Sequence, residues 1–108
     1  MSKIVYNKLV RDRIPEIIQK AGKDFKVLSM DEPAYEKALL EKLLEEAKEL
    51  IEAPKDERIK EFSDLQEVLE AIQLLWDIDT TLIQEKKQKR AKERGAFTQR
   101  LKLLWVKE

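Results

Sequence analysis

The sequence contains neither cysteine nor histidine. The absence of cysteine excludes disulfides, cysteine nucleophiles and thiolate zinc sites. The absence of histidine excludes imidazole bases, Ser-His-Asp triads and histidine metal ligands. Any catalysis by this chain must therefore use carboxylates, lysine, tyrosine, hydroxyl groups or a hard metal ion.

Long hydrophobic runs and net charge are also missing. The first residues, MSKIVYNKLVRDRIP, lack the apolar stretch of a signal peptide, and no run elsewhere reaches the roughly 18 apolar residues that cross a bilayer. We therefore expect a cytoplasmic protein without membrane contact. The 22 basic and 22 acidic residues cancel, so no overall basic field is present to attract a nucleic acid polymer.

What the chain does contain favours a helical domain. Its 108 residues are 43% hydrophobic and 41% charged. This apolar content is sufficient for a hydrophobic core and too high for a disordered tail. A second core would need roughly 50 residues more, so we predict one domain over residues 1–108. Only two glycines and three prolines interrupt the chain, as is typical of long, charged helices.

Start and stop residues predict four helices. They run from Pro15 to Gly22, from Asp31 to about Ala53, from about Asp56 to about Asp77, and from Asp79 or Thr80 to Gly95. Two short segments, 25–29 and 100–106, have patterns suited to strands, and isolated strands need a partner. The predicted fold is therefore mainly α, a helical bundle with a two-stranded β appendage that joins these segments.

Two acidic pairs lie on the central helices, Glu46 with Glu49 and Glu61 with Asp64. Residues three apart share one face of a helix, so each pair can converge on one point. Glu61 lies in the apolar stripe of the third helix, seven residues before Val68. A buried ionised carboxylate costs several kcal/mol, so these groups must be protonated, paired with cations or bound to metal.

A hairpin across the Pro54 connection would bring the four carboxylates together. A cluster of oxygens without sulfur or imidazole suits Mg2+ or Mn2+, which also accept phosphate oxygens as ligands. Alone, the string EExxE more often indicates a solvated helix face with lysine partners. A second acidic motif on the facing helix, inside its apolar stripe, favours the metal site.

The motif EExxE followed by ExxD on adjacent helices resembles the MazG-like, all-α nucleoside triphosphate pyrophosphohydrolase superfamily. The strings NKLVRDRIP and RGAF extend the resemblance over nearly the whole chain, to the small phosphoribosyl-ATP pyrophosphohydrolase-like branch. The resemblance implies a MazG-like helical bundle, a homo-oligomer, and Glu46, Glu49, Glu61 and Asp64 as metal ligands. It also implies a role for Glu45, either as the base that orients water or as a support for the ligands.

A triphosphate also needs cationic donors. The candidates are Lys8 and Arg11 near the N-terminus, and Arg90 and Arg94 beside the turn at Gly95. Most of the remaining basic residues of the fourth helix are expected to be solvated, since cations late in a helix complement its dipole.

Three functions follow as hypotheses. The first is Mg2+-dependent hydrolysis of a nucleoside triphosphate to monophosphate and pyrophosphate, in cleaning of the nucleotide pool, with Mn2+ as a possible substitute. The second keeps this chemistry with phosphoribosyl-ATP of histidine biosynthesis as the substrate. The third is a non-enzymatic helical adaptor without metal dependence. Because a small chain buries a limited fraction of its surface, we expect a dimer or tetramer.

Overall fold

The computed structural model describes residues 2–108. Within this range the helices are α1 (Ile14–Lys20), α2 (Glu32–Glu52), α3 (Arg58–Leu75) and α4 (Thr80–Arg94), with a short 3-10 turn at Lys55–Glu57. The prediction of a mainly helical fold is confirmed, and each predicted helix is present with ends within a few residues of those expected.

The chain forms two compact units. One ends at Trp76 and contains α1, α2 and α3, and the other comprises Asp77–Glu108 and contains α4. The single domain over residues 1–108 stays a prediction. In the described residues, none of the helices is both long enough and apolar enough to pass through a bilayer.

The start of α2 is fixed by side-chain capping. The carboxylate of Asp31 accepts a hydrogen bond from the backbone N–H of Ala34 at 3.0 Å, which satisfies one of the amide groups left unpaired at a helix start. Pro33 fits the first turn because its missing N–H is not needed there. At the other end Ala53 is extended, as the residue before Pro54 must be to avoid its ring.

The helices α2 and α3 form a hairpin across the turn at Lys55–Glu57. Its interior buries the apolar side chains Leu39 and Ile72 and the acidic side chains Glu46 and Glu61. At the open end the indole N–H of Trp76 donates a 2.7 Å hydrogen bond to Glu36. Carboxylates therefore take half of the buried positions along this hairpin.

The helix α4 in the second unit also has the predicted ends. Asp79 caps it by accepting a 2.7 Å hydrogen bond from the N–H of Thr81. Gly95 ends it at φ 79° and ψ 174°, a conformation that residues with a Cβ adopt only under strain. The backbone conformation at the end of α4 therefore requires glycine at position 95.

The predicted β appendage is wrong. No strand is present among residues 2–108, and the segments 25–29 and 100–106 have no regular secondary structure. Their large side chains are exposed without alternation, as at Leu28 (75%), Leu103 (79%) and Leu104 (78%). A strand pattern forms a strand only when a ladder partner takes up its backbone groups, and neither segment has one.

Candidate metal centre

Three carboxylates meet inside the α2–α3 hairpin. Glu46 of α2 and Glu61 and Asp64 of α3 each place one oxygen within 4.8 Å of the others. Glu46 and Glu61 are only 5% and 7% exposed, and Asp64 is half-buried. The spacing of three between Glu61 and Asp64 puts both on the face that meets α2, as the helical period requires.

One oxygen of each buried glutamate has no hydrogen-bond partner. These are Glu46 Oε2 and Glu61 Oε2. The opposite oxygens are paired, Glu46 Oε1 with Lys42 Nζ at 3.4 Å and Glu61 Oε1 with Lys60 Nζ at 3.3 Å. A buried polar atom without a partner costs ~1–3 kcal/mol, so two adjacent carboxylates retain acceptor capacity at an energetic penalty that a cation would remove.

The donor set fits a hard divalent cation. Mg2+ binds oxygen at ~2.1 Å in octahedral geometry, so its ligands lie at most about 4.2 Å apart. Neighbouring ligands of the same octahedron lie only about 3.0 Å apart, so oxygens within 4.8 Å of one another would close by up to about 1.8 Å, through rotation of the side chains, when the ion binds. Three protein oxygens leave coordination positions for water or phosphate.

Glu49, the fourth predicted ligand, lies at the edge of the cluster. It is exposed and outside the set of three. Partial desolvation raises the pKa of Glu49, and the negative charges of the neighbouring carboxylates Glu46 and Glu61 raise it further. Glu49 is therefore close enough to the cluster for the charges of two of its members to act on it.

The chain has no match among family models, curated proteins or solved structures. Membership of the MazG-like superfamily therefore stays a proposal, carried by the motifs EExxE and ExxD. The geometry adds an independent observation, the burial of Glu46 and Glu61 opposite each other on two helices.

Cations from the N-terminal segment reach the outside of the cluster. Lys8 Nζ lies 3.2 Å from Glu45 Oε1. Arg11 Nη2 lies 2.9 Å from Asp64 Oδ1, and the same guanidinium binds Glu67. Two residues predicted to hold phosphate are thus next to the predicted metal site, where they contact carboxylates.

The remaining predicted residues have different surroundings. Glu45, the candidate base, is half-buried and lies within 3.9 Å of Lys42 in addition to its contact with Lys8. Arg90 and Arg94 belong to the unit Asp77–Glu108, where Arg90 borders a shallow apolar groove formed by Ile78, Leu82 and Ile83. Their part in phosphate binding stays a prediction.

Sequence reasoning missed three charged residues at the site, Lys42, Lys60 and Glu67. Lys42 precedes Glu46 by four residues and Lys60 precedes Asp64 by four, so the helical pairing rule could have found both. Glu67 is 56 residues from its partner Arg11. No local pattern indicates a contact of that range.

Proposed function

We propose that this protein is a Mg2+-dependent nucleoside triphosphate pyrophosphohydrolase of the MazG-like type, which releases a nucleoside monophosphate and pyrophosphate. The observation that carries the proposal is the pair of unpartnered buried oxygens, Glu46 Oε2 and Glu61 Oε2, beside Asp64. A surface helix has no reason to bury two carboxylates against each other, since each loses its hydration. A site that binds a cation has such a reason, because the cation compensates for the lost hydration.

The ligand set for this proposal is Glu46, Glu61 and Asp64, with Glu49 joining at the exposed edge. A divalent cation bound there would supply charge neutralisation at the phosphates and a lower pKa for a water molecule. Mg2+ is the expected ion and Mn2+ the expected substitute, because both accept all-oxygen sites.

The residues around the ligands provide the other requirements of the reaction. A water oxygen bonds to phosphorus, the phosphoanhydride bond between the α- and β-phosphates breaks, and pyrophosphate leaves. The proton of the attacking water passes to a carboxylate, for which Glu45 is the candidate because no histidine exists. Lys8, whose Nζ lies 3.2 Å from Glu45 Oε1, is the proposed donor to a phosphate oxygen.

Exposed apolar side chains on the hairpin support the proposed homo-oligomer. Leu44, Ile51, Ile59 and Leu74 are 73–85% exposed, although α2 and α3 pack against each other. A second copy placed against these residues would remove their apolar surface from water. Light scattering coupled to size exclusion tests this, with a dimer or tetramer expected and a monomer contradicting it.

The decisive experiment is hydrolysis of a nucleotide panel that includes phosphoribosyl-ATP, in Mg2+ and in EDTA, with the products identified. We expect pyrophosphate release in Mg2+ alone. Glu61→Gln should lower the rate at least ~100-fold, and Glu70→Gln, an exposed glutamate of the same helix, should leave it unchanged. Preference for phosphoribosyl-ATP would select the biosynthetic alternative. Absence of any hydrolysis and of any Mg2+ effect on melting would select the adaptor.

A further inference from the structure

The guanidinium of Arg11 connects two carboxylates of α3. Its Nη1 and Nη2 donate to Glu67 at 2.9 and 3.1 Å, and Nη2 also donates to Asp64 Oδ1 at 2.9 Å. A planar guanidinium with two donors on one carboxylate has a fixed orientation. The position of Asp64 Oδ1 is therefore defined by Arg11, and that of Arg11 by Glu67.

Asp64 depends on this contact more than the other members of the cluster do. The side chains of Glu46 and Glu61 are 7% and 10% exposed, whereas that of Asp64 is 22% exposed. Burial restricts the two glutamates, but Asp64 has room to turn towards solvent. Its second oxygen, Oδ2, lies 3.7 Å from Lys60, a distance too long for a directional hydrogen bond.

Glu67 removes the electrostatic conflict that Arg11 would otherwise create. A guanidinium bound to a metal ligand repels a cation at the same carboxylate. Glu67 carries the opposite charge and takes two of the three hydrogen bonds. The Arg11–Glu67 pair therefore carries no net charge, and its main effect on Asp64 is to fix the orientation of the carboxylate. Each partner also favours the charged form of the other, since Arg11 lowers the pKa of Glu67 and Glu67 raises that of Arg11.

We propose that Arg11 and Glu67 are positioning residues that hold the Asp64 carboxylate in place as a ligand of the divalent cation. The proposal rests on the proposed function, and it assigns Arg11 to Asp64 in place of a phosphate of the substrate. Hydrogen-bond partners that orient metal ligands commonly change metal affinity 10–100-fold.

The test measures binding of Mn2+ alone to the full chain, by electron paramagnetic resonance of the free ion. The variants are Glu67→Gln, Arg11→Lys and the double variant, with Glu70→Gln as the control that removes an equal charge from the same helix. Arg11 and the Glu67 side chain are 59% and 55% exposed, so all variants should fold, and far-UV circular dichroism checks this.

We expect each single variant to raise the dissociation constant of Mn2+ about 10-fold. The double variant should be no weaker than the singles, because residues that act as one unit are not additive. If both single variants bind Mn2+ within twofold of the wild type, the assignment is wrong. It is also wrong if Glu70→Gln weakens binding as much as Glu67→Gln, since a general loss of negative charge then explains both.

The same titration separates this inference from the proposed function. If the wild type binds no Mn2+, the metal site itself fails. If the wild type binds Mn2+ and hydrolyses nucleotide while both single variants bind Mn2+ as the wild type does, only the positioning role fails. In the hydrolysis assay, Glu67→Gln at saturating Mg2+ should recover most of the wild-type kcat, because a positioning defect in metal binding is overcome by metal concentration.

Discussion

The crowding of carboxylates in the hairpin predicts that Glu46→Gln stabilises the protein when no metal is bound. Within the cluster Glu46 faces two negative groups, Glu61 and Asp64, at 4.8 Å or less, and Glu49 is a further negative neighbour that adds to their repulsion. At an effective dielectric constant of 20, each such repulsion is worth about 3.5 kcal/mol. Lys42, 3.4 Å from Glu46, returns about 5 kcal/mol on the same scale.

The two repulsions exceed the attraction to Lys42, so the charge of Glu46 destabilises the folded state by about 2 kcal/mol. Glutamine keeps the shape of the side chain and removes its charge, so the melting temperature in EDTA should rise by about 8 °C. In Mg2+ at a hundredfold excess over its dissociation constant, the wild type should gain ~2.7 kcal/mol in the free energy of unfolding. Glu46→Gln should gain little.

Thermal melting by circular dichroism in EDTA and in Mg2+ measures both effects. Glu41→Gln, an exposed glutamate of α2, is the matched control and should stay within ~0.5 kcal/mol of the wild type. The reasoning is refuted if Glu46→Gln melts below the wild type in EDTA. It is equally refuted if Mg2+ stabilises Glu46→Gln as much as the wild type.

Three further predictions concern single residues. Asp31→Ala removes the cap of α2 and should lower the free energy of unfolding by ~1 kcal/mol in urea melts, whereas Asp31→Asn should not. Gly95→Ala places a Cβ at φ 79° and should destabilise the end of α4 by ~1–3 kcal/mol, seen as faster amide exchange there. The lowered pKa of Glu67 means that its pair with Arg11 stabilises the fold fully above the usual glutamate pKa and loses this effect as the pH falls through the lowered value. The difference in melting temperature between the wild type and Arg11→Ala should therefore be constant above about pH 5 and shrink below it.

Local signals in the sequence were sufficient for the helices. Asp31, Pro54, Asp79 and Gly95 each act through their own backbone or an adjacent amide, so their effect can be inferred without the tertiary structure. The prediction of a strand at 25–29 was wrong because a strand depends on residues far away in the chain. An alternating pattern indicates which face of a strand would be buried, but whether a partner is present to bury it depends on the tertiary structure.

The residues of the candidate site also divide into those that local sequence patterns predict and those that depend on the tertiary structure. Burial of Glu61 was predictable because its place in the apolar stripe of α3 is a matter of helical period. The exposed position of Glu49 follows from the same period, which puts it just outside the apolar stripe of α2. The contact between Arg11 and Glu67 joins an irregular segment to a helix across 56 residues, and no periodicity describes an irregular segment.

The hydrogen bond between Trp76 and Glu36 gives the protein an internal optical probe. Tryptophan occurs only twice in the chain, and Trp105, the other one, is 75% exposed in the second unit. In a Trp105→Phe variant all indole emission would originate at the far tip of the hairpin, opposite the turn at Lys55–Glu57. Separation of α2 from α3 at that tip would then be visible as a spectral change, without any emission from the segment that follows α4.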